Sequence, residues 1–148
     1  MAADVASLCA RTIKFNNTWV SIMNVQIFYC SNCIDTNALR QSLGNGNSDV
    51  KTVSLPCSGK VNLLYLLKAF EKGADGVVLV TCGQNECHFI EGNLRAQKRS
   101  QAVDGLLEEI GLGKGRMKVI QNNGQGVEQI IAALEELKND LSERSRRK

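Results

Sequence analysis

At 148 residues, 43% hydrophobic and 22% charged, the chain has the length and composition of one globular domain that buries its own core. No run approaches 18 apolar residues and no basic stretch leads into an apolar one at the N-terminus, so the expectation is a cytoplasmic protein without membrane insertion or a secretion leader. The net charge of +3 is confined to the C-terminal SERSRRK, where four basic residues and Glu143 account for all of it; the neutral remainder gives no reason to expect a nucleic-acid partner.

Residues 1–22 lack periodicity, and only Ile13, Phe15 and the Trp19–Ile22 patch offer anchors, so they read as an N-terminal extension. A regular pattern begins at residue 23. Val25, Ile27, Phe28 and Tyr29 form an apolar run that ends at Cys30, and Asp35 is placed to cap a helix running to about Leu43. Gly44-Asn45-Gly46-Asn47 marks a turn. Val50, Val53 and Leu55 predict a second strand, stopped by Pro56 and followed by Cys57-Ser58-Gly59. From Val61 to Lys72 the apolar residues fall at helical spacing, with Gly73 as the stop.

Residues 76–80, GVVLV, predict a strand buried on both faces, as at the centre of a parallel sheet. After it come the loop with Cys82 and Cys87, a helix from about Asn93 to Ile110, a strand from Met117 to Ile120 and an amphipathic helix from Val127 to Leu141. The order βαβαβαβα with short connections predicts an α/β three-layer sandwich around a four-stranded parallel sheet, flavodoxin-like, with strand order 2-1-3-4. The domain so defined covers residues 23–141. Residues 142–148 read as a frayed, solvated basic tail.

Five of the six cysteines follow the first three of these strands: Cys30 and Cys33 in FYCSNC, Cys57 in PCSG, Cys82 and Cys87 in TCGQNECH. In a parallel sheet the carboxyl ends of the strands share one edge, and ligands bind where the strand order reverses. That switch lies between the first and third strands, which carry the paired cysteines. Thiolates are soft donors suited to iron–sulfur clusters, zinc and copper(I), and an iron–sulfur cluster takes four of them. An iron–sulfur site is therefore the leading expectation, with one of the five thiols spare, an alternate ligand or a redox-active thiol beside the cluster. A four-cysteine zinc site meets the same spacing, and CSNC after a strand also suits a thiol–disulfide oxidoreductase working through Cys30 and Cys33. Cys9, alone in the extension, reads as a core or free thiol.

His88, the only histidine, is expected to support the site from behind the ligands rather than bind metal. Backbone amides near Gly59 and Gly83 are expected to donate to sulfur. Arg95, Lys98 and Arg99 at the start of the long helix read as a solvated face, with partner docking as the alternative. The lone GxG at Gly124–Gly126 reads as a turn. No Walker A, GxSxG or CxxxxxR motif is present.

Taken together, FYCSNC, LPCSGK, LLKAFEKGADGV and CGQNECHFIEGNLRAQKR resemble the delta-subunit family of methyl-viologen-reducing hydrogenases, over roughly residues 24–140. The resemblance implies a small protein carrying a [2Fe-2S] cluster. Such a protein relays single electrons between a hydrogenase or formate dehydrogenase module and heterodisulfide-reductase-like flavoprotein subunits. It implies Cys30, Cys33, Cys57, Cys82 and Cys87 as the ligand positions, four of them used; on the relay reading the isolated protein should have little turnover of its own. Tyr29 and Asn32 stand where family members often carry a further cysteine and an aromatic residue.

Overall fold

The computed structural model describes residues 12–15, 18–44, 49–123 and 126–147, with backbone alone for 12–21. Cys9, most of the Gly44–Asn47 turn and part of the Gly124–Gly126 turn lie outside these residues. A short antiparallel hairpin, β1 (Thr12–Phe15) and β2 (Thr18–Ser21), falls within the segment that showed no periodicity. Four-residue strands are too short for alternation to register in the sequence.

The main body follows the order β3 (Val25–Cys30), α1 (Thr36–Leu43), β4 (Val50–Leu55), a single 3-10 turn (Ser58–Lys60) and α2 (Leu63–Glu71). Then come β5 (Gly76–Cys82), α3 (Gly92–Glu109), β6 (Met117–Asn122) and α4 (Glu128–Arg146). All four strands of the sheet are parallel, in the order β4-β3-β5-β6, which is the 2-1-3-4 arrangement. Every residue of β5 is buried, as its unbroken β-branched run requires of a central strand.

The alternation of side chains along β5 sorts the core into two layers. Val78 and Val80 face one side, packed with Ile27, Leu39, Ile130 and Leu137 of β3, α1 and α4. Val77 and Leu79 face the other, with Phe28, Leu66, Val103 and Leu107 of β3, α2 and α3. Helix starts follow their caps: the Asp35 carboxylate accepts from the Asn37 amide, and the Asn62 side chain accepts from the Tyr65 amide.

α4 runs to Arg146, so five of the seven residues assigned to a frayed tail are its last turns. Leu137 and Leu141 continue the buried stripe that drives the helix, and Arg144 reaches back to the Lys114 carbonyl. Basic residues at a helix C-terminus also complement the helix dipole. No described helix is long and apolar enough to cross a membrane.

Candidate metal centre

Cys30 is the last residue of β3 and Cys82 the last of β5, two neighbouring strands, so their thiols meet at the sheet's carboxyl edge. The two sulfurs are 3.6 Å apart. Cys33 turns back over this pair, its amide and its thiol both donating to the Cys30 carbonyl, at 3.2 and 3.3 Å. The three Sγ atoms lie within 4.8 Å of one another, close enough to share one ion.

Cys57 and Cys87 form a second pair. The Cys57 thiol donates to the Cys87 sulfur, and both sulfurs close on Gly92, the first residue of α3. A Cβ there would fall 2.4 Å from the Cys57 sulfur and 2.9 Å from that of Cys87. The two groups are joined electrostatically: Cys57 feels the charge of Cys30, and Cys82 that of Cys87. The five thiols singled out by spacing thus fall into a triad that could share one ion and a second pair near enough to feel its charge.

Crowding governs their protonation. Burial, then the charges of Cys82 and Cys30, push the Cys33 thiol far above its ordinary range. Burial, then hydrogen bonding and charge from Cys30, raise Cys82 to about 11. Cys57 is raised by burial and by Cys87, against an opposing pull from the Gly59 N–H, which donates to its sulfur at 3.4 Å. Cys87 alone goes down. Burial would raise it, but donation from the Phe89 N–H in the preceding turn and the Asn93 and Gly92 N–H groups at the start of α3, with the Cys57 thiol, more than offsets that. So many thiolates cannot share this volume without a cation, and a soft cation deprotonates thiols that it coordinates.

Four side-chain clamps hold the cysteine loops together, and the sequence pattern signalled none of them. Asn32 donates to the Pro56 carbonyl at 2.7 Å, tying the CSNC loop to the segment before Cys57. Asn93 donates to the Gly83 carbonyl at 3.0 Å while its own amide donates to Cys87 sulfur, so one residue spans the Cys82–Cys87 loop. Asn122, paired in register with Cys82, donates to the Cys33 carbonyl at 2.8 Å. Arg99 donates to the Gly59 and Val61 carbonyls, both at 2.6 Å. Arg99 is thus a half-buried clamp rather than part of a solvated face; Arg95 and Lys98 are exposed.

Gly59 acts on sulfur as expected, whereas Gly83 contributes its carbonyl. His88 is exposed, its ring set edge-on to Phe89 at 5.3 Å, and it joins none of the thiols. Tyr29 is buried and its hydroxyl donates to Thr36 on the α1 side. Among the described residues, two buried polar atoms, Ser58 Oγ beside Cys57 and Asn122 Oδ1 beside Cys33, lack a partner.

The family model of the methyl-viologen-reducing hydrogenase delta subunit matches residues 25–143, the segment that carries all five thiols. The chain belongs to this family. Among curated relatives of this delta-subunit chain is the iron–sulfur subunit of the F420-non-reducing hydrogenase vhu of Methanocaldococcus jannaschii. It is 36% identical over 88 residues, which are 60% of this chain and 66%, just under two thirds, of the relative. The iron–sulfur subunit of the F420-non-reducing hydrogenase of Archaeoglobus profundus is 39% identical over 70 residues, 47% of this chain and 51% of that protein. A different context appears in one subunit of the ferredoxin/F420H2-dependent CoB-CoM heterodisulfide reductase of Methanosarcina acetivorans. There 137 residues align at 27% identity, 93% of this chain but 16% of the reductase polypeptide. The delta-type domain thus aligns both with small hydrogenase subunits and with a minor part of a large reductase polypeptide.

Proposed function

We propose that this chain is a non-catalytic electron-transfer subunit that holds a [2Fe-2S] cluster on four of Cys30, Cys33, Cys57, Cys82 and Cys87. It passes single electrons between a hydrogenase or formate dehydrogenase module and heterodisulfide-reductase-like flavoprotein subunits. The observation that carries the reading is the convergence of five thiols from three strand ends at one edge. The family membership and the reductase context of one relative support the partner assignment.

The site suits such a group in three ways. Its donors are all sulfur, the preferred set for iron–sulfur clusters. Gly92 leaves open the space against which Cys57 and Cys87 close. Buried Ser58 Oγ is left for an acceptor that no described residue supplies. When bound, the cluster supplies reversible one-electron chemistry. The chain's own part is to hold sulfur and to tune it: N–H groups of Gly59, Phe89, Gly92 and Asn93 point at thiol sulfur and favour the more negative, reduced state.

The compactness of the Cys30–Cys33–Cys82 triad also suits structural zinc, with a fourth thiol completing a tetrahedron. The dithiol reading fares worse. Cys30 is 1% exposed and the Cys33 thiol is held protonated, the opposite of what an attacking thiolate needs.

Anaerobic purification followed by absorption and electron-paramagnetic-resonance spectroscopy, with iron, sulfide and zinc analysis, decides among these. Expected are bound iron and sulfide and a signal on reduction; a colourless protein with stoichiometric zinc refutes the relay. Replacing each of the five cysteines by serine should abolish or alter the spectrum in four cases. Loss in only two would refute a four-thiolate site.

A further inference from the structure

Beside the thiols the surface changes character. A cavity of about 420 Å³ opens between the 58–60 turn and the start of α3, with Cys57 and Gly92 among its lining residues and Phe89, Ile90, Lys60 and Arg95 around them. No side chain can grow from Gly92 without striking both sulfurs, so at this point only backbone separates the thiol pair from the cavity.

Phe89 is 55% exposed, Ile90 84% and Leu94 49%. Ile90 also has φ of +68°, a left-handed conformation that a β-branched residue rarely adopts. The turn around it is closed by its own amide donating to the Cys87 carbonyl and by the Glu91 amide donating to the Phe89 carbonyl. Ile90 is both strained and 84% exposed, and such outliers concentrate at working surfaces. Among the described residues around the cavity the charges are mostly basic: Lys60 and Arg95 line it and Lys98 follows on the next turn of α3, while Arg99 is taken up by the Gly59 and Val61 carbonyls. Glu91 is the carboxylate among the lining residues, ion-paired to Arg95 at 3.4 Å.

We propose that this face docks an acidic electron-carrier protein, which seats an apolar side chain against Phe89, Ile90 and Leu94 and presents carboxylates to Lys60, Arg95 and Lys98. One electron crosses to the group held by the thiols; no bond or proton moves. This rests on the electron-transfer reading above and adds a separate carrier protein to the modules named there. Small, weakly packed redox interfaces with charge steering have this anatomy: an apolar centre, a charged rim and the redox group close beneath.

The test uses the cluster-loaded full chain and a reduced acidic [4Fe-4S] ferredoxin as probe, with electron transfer followed by stopped flow. Ile90→Asp and Lys60→Glu should each slow the second-order rate by about tenfold or more, within the range of electrostatic steering, and the wild-type rate should fall with added salt. Asp tolerates the left-handed backbone better than Ile, so folding does not mask the result. Reduction by dithionite and the absorption spectrum should not change. Lys114→Glu, in the loop before β6 at the opposite edge of the sheet, should leave the rate alone.

Wild-type rates in Ile90→Asp and Lys60→Glu, or equal slowing in Lys114→Glu, overturn the proposal. If instead dithionite produces no spectral change in the wild type, the electron-transfer reading is what fails. Docking is then read on the zinc-loaded chain as ferredoxin-induced shifts of the Ile90 methyl resonances: shifts that salt abolishes retain the surface, and their absence overturns it.

Discussion

Gly92→Ala offers the sharpest probe of the site, because one methyl group there meets two thiols. Its Cβ would sit 2.4 Å from Cys57 Sγ and 2.9 Å from Cys87 Sγ, where ordinary contact begins at 3.4 Å. The first sulfur must retreat by about 1 Å and the second by about half that, whereas metal–ligand distances hold to about ±0.2 Å. The pair therefore cannot keep its arrangement toward a shared metal. Overpacking of this kind costs about 1–3 kcal/mol, partly offset by up to about 1 kcal/mol of helix propensity gained on leaving glycine.

Gly105 supplies the control. It lies in the same helix, and a Cβ there meets nothing within 4 Å, so Gly105→Ala should stabilise by up to about 1 kcal/mol. The assays are urea unfolding of the reduced, chelated chain and cobalt(II) titration followed through its sulfur charge-transfer bands. Gly92→Ala should lower stability and weaken cobalt binding by about tenfold or more, while Gly105→Ala raises stability and leaves binding unchanged. Should the two substitutions behave alike, the close approach of α3 to the thiols is wrong.

The clamps and thiols give further expectations. Asn93→Ala leaves the Gly83 carbonyl without its buried donor and should cost about 1–3 kcal/mol in urea unfolding, with cobalt affinity falling in parallel. Arg99→Ala should destabilise by a similar amount, and Arg99→Lys should not rescue it, because an ammonium on a flexible stem lacks the rigid planar guanidinium that aims the Nη1 hydrogens at both the Gly59 and Val61 carbonyls. In the reduced, metal-free chain iodoacetamide should label Cys87 first at neutral pH and Cys33 late, read by peptide mass spectrometry, since one thiol lies below its ordinary range and the other far above. Cys82 holds its proton more tightly folded than unfolded. Its contribution to stability is therefore complete below the ordinary thiol value of 9.0 and lost as pH rises toward about 11. Metal-free unfolding curves across that window should show the decline, and a flat profile would contradict the burial of Cys82.

Much of this architecture is written locally. GVVLV reads as a central strand because a doubly buried strand needs apolar residues at every position, and β5 is buried throughout. Asp35 caps α1 through a contact two residues away. The cysteines could be assigned to one edge because each follows a strand whose direction the βαβ connection dictates. Less was legible where the chain must meet itself at long range. Arg99 looks like one more cation on a helix until its guanidinium is found on two carbonyls about forty residues back. Residues 142–146 read as a frayed tail because their composition is polar; 143–146 are indeed exposed, yet α4 carries them along as its end.

The sequence by itself therefore determined the sheet, its order and the edge at which five thiols gather, since strand patterning and handed connections are local rules. Only the tertiary structure decided how the thiols divide into a triad and a pair. It also decided why Gly92 must be glycine and which asparagines hold the loops. Those outcomes depend on distances between residues as far apart as Cys33 and Asn122, 89 positions in the chain, and no periodicity encodes a contact of that kind.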